Sequence, residues 1–285
     1  MKKQTILTLF IAFLIWGCSE SSDGPIIGEL EASNLIDMSY GSDPRQAVDV
    51  YLPAGRSKEN TPLLIYIHGG AWIEGDKSEF SAFLDLARQA FPDYGFVSIG
   101  YRLHDLFLGS NRFPSQENDI IQAITYIESQ TATWNVSNNI ILVGASAGAH
   151  LALLHGYKHQ EIGNIAGVIA LFPPTDLAKL YSFNQASTLG LMSILGGSPQ
   201  ESPEIYQSSS PVHFIDEASI PSIFFHGTLD QVVPISQSEL LAKVLQENGV
   251  NHQYRIVEGQ GHGFTPQTYQ SIFQEAASFM DGIFN

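Results

Sequence analysis

Gly144-Ala145-Ser146-Ala147-Gly148 stands directly after the apolar run Ile140-Ile141-Leu142-Val143 and directly before a helical pattern. A serine on a tight strand-to-helix turn lifts its hydroxyl above the sheet edge, and small flanking residues are those that a strained backbone accommodates. A neutral hydroxyl is a weak nucleophile, so it needs a histidine base within hydrogen-bond reach and a carboxylate behind that base. The chain offers both in the order Ser, Asp, His: Asp230 closes His226-Gly227-Thr228-Leu229-Asp230, and His262 sits within Gly259-Gln260-Gly261-His262-Gly263. Both segments follow strand-like runs, and the glycines around His262 let the backbone carry it back toward Ser146. Asp176 and Glu258 also lie near strand ends and stand as alternatives to Asp230. Among the other histidines, His150, His155 and His159 fall on or just past the helix after the serine. His104, His213 and His252 lack a glycine loop after a strand.

Nucleophilic attack on a carbonyl also requires backbone N–H groups aimed at the developing oxyanion. One comes from the residue after the nucleophile, here Ala147, and another from a loop after an earlier strand. His68-Gly69-Gly70-Ala71-Trp72 is that loop, with Gly70 and Ala71 as expected donors. The histidines show no H-E-x-x-H pairing with carboxylates and no cysteine partner, and neither a G-x-G-x-x-G nor a phosphate loop is found. The chemistry is therefore expected to need no metal and no cofactor.

The elements that must hold these residues alternate along the chain. Val48–Leu52, Leu63–Ile67, Phe96–Gly100, Ile140–Val143, Val168–Leu171, Ile223–His226 and Tyr254–Val257 read as strands. Helical spacing of apolar residues runs from Ser78 to Phe91, through Ile120, Ile121, Ile124 and Ile127, from Ala147 to Tyr157, from Ser236 to Asn248, and from about Pro266 to Phe284. Between Thr175 and about Pro211 the rhythm breaks into Pro, Ser and Gly clusters around short apolar stretches, which suggests an inserted helical cap. Strands alternating with helices predict an α/β fold, a mostly parallel sheet covered on both faces, with ligands at the carboxyl ends of its strands.

At 285 residues, 44% of them hydrophobic and 15% charged, the chain suffices for one large α/β domain. Its first residues have the layout of a secretory signal: Lys2 and Lys3, an apolar run from Ile6 to Trp16, then Gly17-Cys18-Ser19. Ile15-Trp16-Gly17-Cys18 resembles a bacterial lipobox, whose cysteine receives lipid. Cys18 is the sole cysteine, so no disulfide within the chain explains it; an ordinary cleaved signal is the alternative. The expected organisation is a signal peptide over 1–17, a lipid-anchored flexible tether over 18–34 and a catalytic domain over 35–285, with the cap at about 175–211. That describes an exported, membrane-anchored lipoprotein in the bacterial periplasm or at the cell surface. Loss of Lys2 and Lys3 with the signal takes the formal charge from −16 to −18. Such a charge repels nucleic acid and anionic lipid, so nucleic-acid partners are not expected and membrane contact is expected only through Cys18.

The motifs also carry a resemblance. His68-Gly-Gly-Ala-Trp72 with Gly75-Asp76-Lys77, Phe113-Pro-Ser-Gln116 with Asp119, Gly144-Ala-Ser-Ala-Gly-Ala-His150-Leu-Ala, Leu195-Gly-Gly-Ser-Pro199, Ser210-Pro211 and His226-Gly-Thr-Leu-Asp230 look like one family. It is the carboxylesterase/lipase branch of the α/β-hydrolases that includes bacterial bifunctional feruloyl and acetyl-xylan esterases. The resemblance covers roughly 40–282. It implies an α/β-hydrolase fold and hydrolysis of small acyl or feruloyl esters, extended by family and export signal to esters on plant polysaccharide. Ala71 stands where many relatives have a third glycine and is shared with kynurenine-formamidase-like enzymes, which leaves an arylformamidase-like amide hydrolase open. Ala149 takes a position often held by glycine, with no expected harm because alanine favours helix. A catalytically silent surface binding module is the alternative of another class, although the chain keeps candidates for all three triad positions.

Overall fold

All five residues of Leu63-Leu64-Ile65-Tyr66-Ile67 are buried. Successive side chains of a strand point to opposite faces; Leu63, Ile65 and Ile67 join one core layer, and Leu64 and Tyr66 the other. Burial on both faces is what makes a parallel strand read as an unbroken apolar run. The computed structural model describes residues 30–284. It contains strands β1 (Ser33–Ser39), β2 (Ala47–Leu52), β3 (Leu63–Ile67), β4 (Gly95–Ile99), β5 (Asn139–Ala145), β6 (Asn164–Leu171), β7 (Ser222–Gly227) and β8 (His252–Val257). They form one eight-stranded sheet in the order β1-β2-β4-β3-β5-β6-β7-β8. β1 with β2 and β2 with β4 are antiparallel pairs, and every other pair is parallel.

Helices cover both faces, as the alternation predicts. α1 (Leu84–Ala90) and α8 (Pro266–Phe284) bury Ala87, Phe273, Ala276 and Met280 in one layer. α2 (Ser115–Trp134), α3 (Ala147–Lys158) and α7 (Ser236–Glu247) bury Ile120, Ile124, Leu151, Leu154 and Leu241 in the other. Between β6 and β7 the chain leaves the sheet for α4 (Leu177–Tyr181), α5 (Gln185–Leu195), α6 (Pro203–Ser208) and a 3-10 turn over Pro211–Phe214. Asp176 and Asn184 start α4 and α5 by accepting the amides of Lys179 and Ser187, and Gly196 ends α5 at φ 82°.

The strand order locates the site. After β3 the chain turns toward β4 on one side, and after β5 it turns toward β6 on the other. The carboxyl ends of β3 and β5 therefore open a crevice at the point where the winding reverses, the usual ligand position in such sheets. Ile67 lies beside Gly144 in the β3–β5 register, so the loop after β3 and the turn after β5 leave the sheet side by side.

Two elements differ from the sequence expectation. The helix expected over Ser78–Phe91 is split into a 3-10 helix over Lys77–Ala82 and α1. In a 3-10 helix residues three apart eclipse one another, so Lys77 and Phe80 enter the interior together. Lys77 reaches Asp37 and Asp49 at 2.6 and 2.7 Å, and Phe80 stacks on Tyr66 at 5.2 Å between centroids. β1 was not foreseen and starts at Ser33, within the stretch expected as tether. It is a partly exposed edge strand, interrupted by a register shift between Leu35 and Met38 and by Asp37 at φ 57°, which removes the alternation that would reveal it. The expected signal peptide, Cys18 and most of the tether lie outside the described residues. Among the described residues no helix is long and apolar enough to cross a membrane.

Candidate active site

Ser146 stands between β5 and α3 with φ 54° and ψ −121°, a conformation that costs an L-residue of this kind about 1–3 kcal/mol. The surrounding chain leaves it no other path. A Cβ on Gly144 would lie 2.4 Å from the carbonyl carbon of Gly148, and one on Gly148 would lie 2.0 Å from the Ile67 oxygen. Both glycines are required by close backbone approach, so α3 is pressed against the ends of β3 and β5. The Ser146 amide donates to Leu171 O at 2.9 Å, tying the turn to β6.

The expected partners converge on this serine. His262 Nε2 lies 2.9 Å from Ser146 Oγ, and His262 Nδ1 lies 2.7 Å from Asp230 Oδ2. Asp230 is fixed on its far side, where Oδ1 accepts the amides of Val232 and Val233 at 2.8 and 2.9 Å. Burial raises the Asp230 pKa, but hydrogen bonds from His226, His262 and the Val233 amide outweigh it and hold the carboxyl well below the usual carboxylate range. A carboxylate there requires the proton of His262 on Nδ1 and leaves Nε2 free to accept from Ser146 Oγ.

Asp176, the alternative orienting acid, is placed elsewhere. It caps α4, pairs with Lys179 at 2.6 Å, and its amide donates to Gln237 Oε1 on α7. Sequence reasoning passed over two groups that contact Asp230 and His262. His226 is fully buried, with Nδ1 2.7 Å from Ser238 Oγ and Nε2 2.9 Å from Val233 O and 3.3 Å from Asp230 Oδ2. The i, i+4 spacing of His226 and Asp230 in one motif was the available signal. Phe172, at φ 42°, packs its ring 4.5 Å from that of His262; nothing in its sequence context announces this.

The loop after β3 carries the expected oxyanion donors. Ala71 and Trp72 are both left-handed, at φ 50° and 61°, and the turn returns the Ile73 and Glu74 amides to Gly70 O at 3.0 and 2.9 Å. A Cβ on Gly70 would lie 2.2 Å from Glu74 O, so only glycine fits there. Ala147 opens α3, where no preceding turn of helix can accept its amide. Gly70 borders a cavity of about 440 Å³, Ala147 one of about 450 Å³, and Ala71 and Ser146 border both. Among the cap side chains, Leu191 lines the second cavity and Tyr181 packs on Tyr206. Phe183 and Met192 are exposed.

In comparison with known families, the BD-FAE family model matches residues 48–245. The chain belongs to the BD-FAE family. Its fold is shared with solved α/β-hydrolase esterases, among them a truncated form of a carbohydrate esterase from gut microbiota, at 25% identity and a TM-score of 0.76 over 89% of this chain and 96% of that one. Esterase LipC of Mycobacterium tuberculosis is 24% identical over 84% of this chain and 63% of its own length. A probable isoprenylcysteine alpha-carbonyl methylesterase of Oryza sativa subsp. japonica is 30% identical over 78% of this chain and 55% of its own. The BD-FAE chain thus spans less than two thirds of these curated relatives.

Proposed function

We propose that this chain hydrolyses carboxylic esters through an acyl-enzyme on Ser146, with His262 as base and Asp230 orienting the imidazole. The observation that carries the reading is the hydrogen-bonded line Asp230–His262–Ser146, at 2.7 and 2.9 Å, ending on a strained serine where two cavities meet. His262 Nε2 takes the hydroxyl proton as Oγ bonds to the carbonyl carbon, and the amides of Gly70, Ala71 and Ala147 are the donors for the oxyanion. The proton then passes to the ester oxygen as the alcohol leaves. Water repeats the sequence in deacylation. Asp230 stays ionised throughout, because protonating it would free the Nδ1 proton and scramble the tautomer.

The substrate class we infer is small acyl or feruloyl esters, including those on plant polysaccharide. Membership of the BD-FAE family and the likeness to a carbohydrate esterase support it. A silent binding module has no use for a serine held at φ 54° with its base aligned. We further propose that the chain is exported and held at a membrane by lipid on Cys18. Acetyl, feruloyl and formamide model substrates, assayed with wild type and Ser146→Ala, test the catalytic reading. Wild type should cleave the esters, and Ser146→Ala should lose about 10⁴-fold or more in kcat with its fold retained. Ester turnover near wild type in Ser146→Ala, or cleavage of the formamide alone, would overturn it.

A further inference from the structure

Ser146 stands between two cavities of nearly equal size and unlike character. The first, about 440 Å³, lies over the α8 side of the sheet and is walled by Phe80, Phe83, Tyr269 and Phe273, with Glu74 and Glu79 at its edge. The second, about 450 Å³, lies under the cap and is lined by Leu106, Leu180, Leu189, Leu191 and Val233. His262 borders only the first, whereas Ala147 borders only the second. That asymmetry has a chemical consequence. The proton taken from Ser146 Oγ must be returned to the ester oxygen as its bond to the carbonyl carbon breaks. The oxygen of the leaving alcohol must therefore face His262 Nε2. With the alcohol committed to the His262 side and the carbonyl oxygen turned to the backbone amides, the remaining substituent of the carbonyl carbon points under the cap.

We propose that the cap cavity is the acyl site, that the aromatic cavity receives the alcohol, and that Gly190 on α5 sets the size of acyl group accepted. The assignment rests on the ester-hydrolase reading above. The cap cavity falls within the range of about 300–1,000 Å³ typical of whole small-molecule sites, and an acetyl group leaves most of it empty. Within the ester class proposed above, the cavity thus favours the bulkier acyl groups, aryl-substituted or medium-chain, over acetyl, which it still admits. The space exists because Ala186, Ser187 and Gly190, one turn apart on α5, present small side chains to the same cavity. Gly190 has helical neighbours on both sides, and a Cβ built on it meets nothing within 4 Å. A Cβ there enters open space at the exposed rim of the cavity, so a larger side chain starts with no core atom against it.

The test is Gly190→Phe, with Ala186→Phe as a second entry to the same space, against two series. Methyl acetate, methyl octanoate and methyl ferulate vary only the acid; the acetates of methanol, 1-naphthol and methyl glucoside vary only the alcohol. For at least one variant we expect kcat/KM on octanoate and ferulate to fall by about tenfold or more, the scale on which a pocket rejects extra carbon. Methyl acetate should stay within about threefold, and the ranking of alcohols should not change. A melting temperature at or above wild type for Gly190→Phe, where glycine is the poorer helix residue, and one within a few degrees of wild type for Ala186→Phe would show that the fold is kept. Folded variants that reorder the alcohols and not the acids, or leave both series unchanged, overturn the assignment while the esterase reading stands. Wild type inert on all five esters overturns both.

Discussion

The carboxylate behind the base is the part of the relay most open to a decisive substitution. Asn in place of Asp230 keeps size and shape but offers one acceptor oxygen and one NH₂ donor. In the native site, Oδ1 accepts the Val232 and Val233 amides at 2.8 and 2.9 Å, and Oδ2 accepts His262 at 2.7 Å. If the NH₂ faced the loop, two amides would lose their acceptor, at about 1–3 kcal/mol each. The oxygen therefore takes the loop side and the NH₂ faces His262 Nδ1. Nδ1 must then accept, the ring proton moves to Nε2, and a donor rather than a lone pair meets Ser146 Oγ. Loss of the correct tautomer costs about 10³- to 10⁴-fold in kcat, a barrier increase of about 4–5.5 kcal/mol. Steady-state hydrolysis of 4-nitrophenyl butyrate, with a thermal melt for integrity, measures it. KM should change little, because Asp230 borders neither cavity. Asp176→Asn should leave kcat near wild type. A folded Asp230→Asn variant within tenfold of wild type, or an equal loss in Asp176→Asn, would refute the reasoning.

Acid should destabilise the fold well before the carboxylates titrate. Burial pushes His68, His150 and His155 down to about 4, against the opposing hydrogen bond each ring makes to a carbonyl. Their folded pKa values lie below the ordinary 6.5, so the unfolded chain binds more protons between the two, and stability present above pH 6.5 is lost on descent toward 4. At about 1.4 kcal/mol per pH unit, each contributes about 3 kcal/mol over that window. Urea unfolding at pH 7, 6, 5 and 4.5 should show this fall, and a flat free energy across the series would contradict it. If Cys18 carries lipid, Cys18→Ser should abolish fatty-acid labelling and membrane association, since stable anchoring needs more than one acyl chain. Labelling that persists in Cys18→Ser excludes that site.

What was legible in the sequence and what was not divide along physical lines. The turn around Ser146 was readable because a Cβ on Gly144 or on Gly148 would come within 2.4 or 2.0 Å of backbone atoms, and no other residue type meets that constraint. β3 and β5 were readable because burial on both faces leaves an unbroken apolar run. The split at Phe83 was not, because helical spacing and 3-10 spacing share i, i+3 and differ in the anchoring of Lys77 to Asp37 and Asp49, contacts distant in sequence. β1 escaped because a half-exposed edge strand with a register shift has neither alternation nor an apolar run. The cavities escaped because they are spaces between elements, made by small residues as much as by large ones.

The choice between Asp230 and Asp176 shows why position after a strand was insufficient. Both acids follow strands of the same sheet, and both start a loop near its carboxyl edge. They are separated by the first turn of α7. Ser238 there meets His226 Nδ1 at 2.7 Å, holding the ring whose Nε2 lies 3.3 Å from Asp230 Oδ2. The adjacent residue, Gln237, is turned the other way: its Oε1 accepts the amides of Thr175 and Asp176, both at 2.8 Å, and its carbonyl accepts Thr175 Oγ1 at 2.7 Å. One turn of helix thus fixes the carboxylate of the relay and the base of the cap through neighbouring side chains. Asp176, with its amide held by Gln237 and its carboxylate turned to Lys179, is committed to the start of the cap. Asp230 alone is left with an oxygen facing His262. A shift of α7 would move His226, which bears on Asp230, and the base of the cap together.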